Sequence, residues 1–100
     1  MAKSRMNELL KKAEAGDAEA QQTVGACYVH GQGVPQDYVK AVYWFSKSAR
    51  RGNAKAQYNL GILYISGIGV QQNMASARLW LERSAAQGNE EAAAILKNYF

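Results

Sequence analysis

The sequence predicts an all-α fold, an α-α superhelix (solenoid) of two full 36-residue helix-turn-helix repeats with a single helix on either side. Three observations predict it. The first is internal repetition: residues 16–49 laid over 52–85, an offset of 36, align Gly16 with Gly52, Ala18 with Ala54, Ala20 with Ala56, Gln21 with Gln57, Gly25 with Gly61 and Tyr28 with Tyr64. The match continues without a gap through Gly31 and Gly67, Gly33 and Gly69, Val34 and Val70, Gln36 and Gln72, Ala41 and Ala77, Trp44 and Trp80, Ser48 and Ser84, and Ala49 and Ala85. A period of this length marks a stacked array, because one helix pair cannot bury its apolar face alone. The second is that apolar residues recur at helical spacing within each copy. The third is composition: a single proline and abundant Ala, Leu, Gln, Lys and Glu favour helix, and 48% hydrophobic residues over 100 positions suffice for one core.

The elements follow in order within one domain, 1–100. In the opening half repeat, 1–15, Leu9 and Ala13, followed by Gly16, fall where Phe45, Ala49 and Gly52 do, which predicts a helix over 3–15. The first full repeat, 16–51, starts at Gly16, which can adopt the left-handed conformation that ends a helix, and Asp17 is a good N-cap for the next. Its first helix, 17–30, carries the stripe Ala20, Val24, Cys27 and Tyr28. A loop at Gly31–Val34 follows, and Asp37 caps a second helix, 37–50, with the stripe Tyr38, Ala41, Val42, Phe45 and Ala49.

The second repeat, 52–87, duplicates this plan. Asn53 caps a helix over 53–66 with Ala56, Leu60, Leu63 and Tyr64 on its apolar face. After the loop at Gly67–Val70, Asn73 caps a helix over 73–86 with Met74, Ala77, Leu81 and Ala85. The closing half repeat, 88–100, repeats Gly52, Asn53 and Ala56 as Gly88, Asn89 and Ala92 and predicts a helix over 89–99. Mid-helix Gly25 and Gly61 should each cost about 1 kcal/mol relative to alanine. Close approach of a neighbouring helix is the expected compensation, with Ala41 and Ala77 facing them and Trp44 and Trp80 alongside.

The order Ala-x-Ala-Gln (Ala54–Gln57), Leu-Gly-x-x-Tyr (Leu60–Tyr64), Gly-x-Gly-Val (Gly67–Val70) and Ala-x-x-Trp (Ala77–Trp80) resembles the Sel-one-like repeat, a relative of the tetratricopeptide repeat. The resemblance covers essentially the whole chain. It departs from the tetratricopeptide pattern proper, which has a Trp where Gln21 and Gln57 stand and a shorter period. It implies an adaptor or scaffold that binds other proteins.

In such a stack the first helices line the concave side, so the residues off their core stripe form the expected groove. These are Glu19, Gln22, Ala26, Val29 and His30, then Lys55, Tyr58, Ile62, Ile65 and Ser66, then Glu91, Ala94 and Asn98, with Tyr58, Ile62 and Ile65 as the apolar centre. The same three residues would equally serve packing between neighbouring first helices. Lys55 could contribute to a carboxylate clamp of the tetratricopeptide kind, but Ala26 and Ile62 occupy places where such a clamp would use Asn, so it is not expected. Tyr43 and Leu79 share one position on the outer face of the second helices. Ile95, Leu96, Tyr99 and Phe100 have no following helix, so Leu96, Tyr99 and Phe100 are the candidate contacts for a homo-oligomer or for the next unit of a longer array, with Tyr99 and Phe100 folding back onto the last pair as the rival.

Chemistry is sparse. His30 is the only histidine and Cys27, the only cysteine, lies on a core stripe, so neither a Cys-His pair nor a metal cluster is expected. The Gly-x-Gly loops lack the third glycine and preceding strand of a dinucleotide site, and Glu90 and Glu91 suit a helix start. No enzyme and no cofactor are expected. The formal charge of +4 is scattered, with several cations near expected helix ends, so nucleic acid is not an expected partner. Neither a signal sequence nor a membrane-spanning run is present, which reads as a soluble chain, cytoplasmic by default with the compartment open. The expected function is a protein-protein interaction module that binds a peptide or partner on the concave face. The alternative is a self-assembling structural element that oligomerises through the C-terminal helix.

Overall fold

The computed structural model describes residues 2–100, with side chains from Arg5 onward. Six helices follow one another: α1 (Ala2–Glu14), α2 (Ala18–His30), α3 (Tyr38–Arg50), α4 (Ala54–Ser66), α5 (Met74–Ala86) and α6 (Glu90–Tyr99). Among the described residues there is no strand. Each helix packs against its neighbours in sequence, giving an elongated stack of 42 × 24 × 17 Å.

From α2 onward the helices start one residue later than the expected spans, because the capping residue itself is extended. Asp17, Asn53 and Asn89 sit at φ near −70° and accept the backbone N–H of Ala20, Ala56 and Ala92, each at 2.9 Å. Asp37 and Asn73 do the same for Lys40 and Ser76, at 3.1 and 3.0 Å. Gly31 and Gly67 close α2 and α4 with φ of 68° and 67°, a left-handed conformation that costs glycine nothing. The loop behind each is then held down by a glutamine. Gln36 donates to the Val29 carbonyl and Gln72 to the Ile65 carbonyl, both at 2.8 Å.

Two polar devices tie the pairs together in the dry interior. Ser48 and Ser84, fully buried, donate to the carbonyls of Ala18 and Ala54 at 2.6 and 2.7 Å, locking the second helix of each unit onto the start of the first. Gln21 and Gln57 donate to the carbonyls of Ala13 and Ala49 at 3.0 and 3.1 Å, which ties each first helix to the end of the helix before it. The amide adds a second donor to a buried helix-end carbonyl that already accepts the backbone N–H of Gly16 or Gly52, and so spans two helices where the backbone bond spans one turn. That is the physical role of the position where a tetratricopeptide repeat carries Trp.

The apolar core forms two clusters. Met6, Ala13, Ala20, Val24 and Trp44 join α1, α2 and α3, and Ala41, Phe45, Ala49, Ala56, Leu60 and Leu63 join α3 and α4. The mid-helix glycines do mark close approach, but to different partners from those expected. A Cβ on Gly25 would stand 2.6 Å from the Phe45 ring, and one on Gly61 would stand 2.7 Å from Leu81 Cγ. The expected alanine contributes only its backbone, Ala77 O lying 3.3 Å from the Gly61 position. Met74, expected on a core stripe, is exposed: its counterpart Tyr38 is covered by the loop at Gly69, and no such loop lies over Met74 among the described residues. Cys27 is half-buried rather than sealed in the core.

Candidate functional site

A first helix in this fold has two duties. One stripe packs against its own second helix, and the adjacent stripe faces the first helix of the next repeat. Where α2 and α4 come together along that second stripe, the small Ala26 leaves space that no side chain fills. The result is a cleft of about 190 Å³ lined by Ala26, Val29 and His30 from α2, by Tyr58, Asn59, Ile62 and Leu63 from α4, and by Phe45 from α3.

Phe45 is buried and forms the floor; Ala26, Val29, Tyr58 and Ile62 are half-buried walls, while His30 is exposed at the rim. The amide of Asn59 and the imidazole of His30 supply polar edges. Tyr58 is further defined by α6, whose Glu91 carboxylate lies beside the phenol. Partial burial and that negative charge both push the Tyr58 hydroxyl above the usual tyrosine range, so it stays a neutral donor through physiological pH. An apolar pocket with a few convergent polar groups suits one large apolar side chain presented on a peptide or helix.

Five of the expected groove residues, Ala26, Val29, His30, Tyr58 and Ile62, come together here. Gln22, Lys55, Ile65 and Asn98 do not line this cleft. Ile65 and Asn98 belong to the equivalent place one repeat later, since the 36-residue offset carries Val29 to Ile65 and Ile62 to Asn98. Asn59 went unnoticed in the sequence although it precedes Ile62 by three positions and so shares its face. Phe45 and Leu63 were assigned to the core, which they also serve.

No nucleophile or metal ligand set joins the cleft. Cys27 lies outside its lining, and burial raises its thiol pKa, which disfavours the thiolate. Among the described residues no group of three His, Cys, Asp or Glu side chains is placed to hold a metal ion, and no helix is long and apolar enough to cross a membrane. On the outer face, Tyr43 and Leu79 are 55% and 44% exposed, and at the C-terminal end Tyr99 and Phe100 are 68% and 40% exposed while Leu96 is half-buried.

Two consecutive matches to the family model of the Sel1 repeat cover residues 18–53 and 54–89. Among solved structures, a Sel1 repeat protein from Oxalobacter formigenes superposes with a TM-score of 0.96 at 41% identity, over 98% of this chain and 29% of that one. A protective antigen of uropathogenic Escherichia coli strains, displaying an SLR fold, gives 0.85 at 39% identity over 87% of this chain and 19% of its own. Helicobacter pylori cysteine-rich protein B gives 0.85 at 27% identity over 90% of this chain and 68% of its own. The chain thus spans less than a third of the length of the first two. No curated protein matches it.

Proposed function

This chain belongs to the Sel1 repeat family, whose repeats typically serve as protein-interaction modules, and from that premise we propose that it binds a peptide or partner protein in the cleft between its first helices. The observation that carries the reading is the unfilled apolar space walled by Ala26, Val29, Tyr58 and Ile62 and edged by His30 and Asn59. A partner would anchor there through one buried apolar side chain and add contacts along the concave face towards Gln22 and Lys55 at one end and Ile65 and Asn98 at the other. The reading is non-catalytic and needs no cofactor.

The test replaces the cleft walls by charge. Tyr58→Glu combined with Ile62→Glu should remove the partners that the wild-type chain captures by affinity, while circular dichroism keeps the same helicity. Identical capture by both proteins discards the cleft. The exposure of Tyr99 and Phe100 favours a second reading, self-association through α6 with Leu96, Tyr99 and Phe100 at the contact. Solution mass measured across concentration decides it, a strict monomer at high concentration counting against.

A further inference from the structure

The two repeats duplicate one another closely around the buried glutamine, except at the residue that completes its hydrogen bonding. In the second repeat the side-chain amide of Gln87 donates both to the Gly52 carbonyl, at 2.8 Å, and to Gln57 Oε1, at 3.0 Å. Gln57 is thereby satisfied at both ends, since its own amide nitrogen holds the Ala49 carbonyl. The latch is neutral and closed. Thirty-six residues earlier the latch residue is Arg51. Its guanidinium lies against Gly16, where a Cβ would stand 2.6 Å from Nη2, and it makes neither bond. Gln21 is only 3% exposed, yet its Oε1 has no hydrogen-bond partner.

Beside this orphaned acceptor, between the ends of α1 and α3, opens a notch of about 310 Å³ lined by Glu14, Gly16, Gln21, Lys47, Arg50 and Arg51. Its three cations have no carboxylate partner. Among the described residues the one ion pair is Arg78 with Glu82, on α5. Lys47 rests over the Tyr43 ring at 5.2 Å and Arg50 Nε on the Ser46 carbonyl at 3.2 Å, which leaves the terminal nitrogens of Arg50 and Arg51 without a hydrogen-bond acceptor.

We propose that this notch binds an acidic peptide segment, its carboxylate held by Arg50 and Arg51; as Arg51 swings out from its place against Gly16 to meet it, the adjoining backbone N–H reaches Gln21 Oε1, which is covered in the free chain, and donates to it in the place of the Gln87 amide. Guanidinium forks match a carboxylate in geometry and charge, and a buried carbonyl oxygen without a donor is a demand the ligand itself meets. An anion with no donor, such as chloride or acetate, would answer the cations and leave Gln21 orphaned. A doubly charged phosphate would also face the Glu14 carboxylate and the negative ends of two helices, so a singly charged carboxylate is the better fit. The net charge of +4 draws such a segment in. The site is separate from the apolar cleft: Gln21 and Val29 stand eight residues apart on α2, about 12 Å along its axis.

Fluorescence anisotropy with a labelled Gly-Ser-Gly-Glu-Gly-Ser peptide capped at its C-terminus, its Gln counterpart and inorganic phosphate as competitor tests the proposal at about 0.1 M salt. The acidic peptide is expected to bind and the neutral one to bind about tenfold more weakly, the loss of roughly one charge-assisted pair. Arg51→Gln should weaken the acidic peptide by about the same factor while raising the melting temperature, because an amide there closes the latch as in the second repeat. Arg51→Ala should lose the peptide without that rise. Equal binding of the neutral peptide, unchanged affinity in Arg51→Gln, or displacement by an equimolar amount of phosphate overturns the proposal. The Tyr58→Glu, Ile62→Glu protein should bind the acidic peptide as wild type does, which keeps this test independent of the cleft.

Discussion

At Gly25 and Gly61 two opposing costs decide the residue. Alanine would gain about 1 kcal/mol of helix propensity, but its Cβ would stand 2.6 Å from the Phe45 ring or 2.7 Å from Leu81 Cγ, and overpacking of that kind costs about 1–3 kcal/mol. Steric cost wins, so Gly25→Ala and Gly61→Ala should each lower the melting temperature by several degrees, on the scale of about 4–8 °C per kcal/mol for a domain of this size. A double-mutant cycle checks the cause, since Gly61→Ala should cost less in a Leu81→Ala background. The close approach was legible in the sequence, but its partner was not. Helical side chains lean back over the turn that precedes them, so Phe45 and Leu81 cover the spots that the Cα positions of Ala41 and Ala77 mark. Tyr58 carries the residue-scale prediction on pH. Burial and Glu91 raise its pKa, so the folded state prefers the neutral phenol. The stability this group contributes is complete below the ordinary tyrosine pKa and is lost as pH climbs through the raised value. In an NMR titration of labelled tyrosine, Tyr58 should ionise later than an unfolded-chain tyrosine, and Glu91→Gln should bring it back down. An unmoved titration would show that the carboxylate does not act on it.

Between elements, the glutamines at the start of the first helices do the same work in unequal circumstances. Gln57 satisfies the Ala49 carbonyl and accepts from Gln87, whereas Gln21 satisfies the Ala13 carbonyl and leaves its own oxygen without a partner. Gln57→Leu removes two hydrogen bonds, its own to the Ala49 carbonyl and the one from Gln87, while Gln21→Leu removes only the one to the Ala13 carbonyl and takes an orphaned oxygen with it; each net bond is worth about 0.5–1.5 kcal/mol. Thermal or urea unfolding should therefore find Gln57→Leu the more destabilised; equal losses would mean that the latch from Gln87 carries no weight. The helices themselves were legible to within a residue or two, since period, capping side chain and terminating glycine all point to the same boundaries at Asp17, Asn53 and Asn89. The cleft was legible in part. Helical periodicity put Ala26, Val29, Tyr58 and Ile62 on one face, but the stagger between neighbouring first helices is a tertiary property. Residues 26, 29 and 30 of α2 face 58, 59, 62 and 63 of α4, the 36-residue counterparts of 22, 23, 26 and 27, so the helices meet about one turn out of register. That stagger leaves Gln22 and Lys55 beyond one end and admits Asn59.

Across the whole molecule, the two ends carry charge where the internal pairs touch most closely. In the 36-residue register the glycine place of α2 and α4 is taken in α6 by Lys97, and the places of Ala41, Trp44 and Ser48 are taken in α1 by Arg5, Glu8 and Lys12. For one copy to stack on another head to tail, its α1 would have to settle on the neighbour's α6 as α3 settles on α2. Leu9 would then arrive where Phe45 does, against Lys97 instead of a bare glycine turn, and Arg5 would enter a place where Ala41 is fully buried. Burying unpaired ammonium and guanidinium groups opposes that contact, and the steric room is absent even for a Cβ. With that stacking opposed, we expect association through Leu96, Tyr99 and Phe100 to be an isologous contact, which uses both copies of the patch at once and closes at two chains. Sedimentation equilibrium should give a mass that never exceeds the dimer at any concentration. Lys97→Gly combined with Arg5→Ala restores the internal-pair chemistry at both ends and should add species that lengthen with concentration. Wild-type assemblies larger than two chains, or a double variant that behaves as wild type, would show that these charges do not guard the ends.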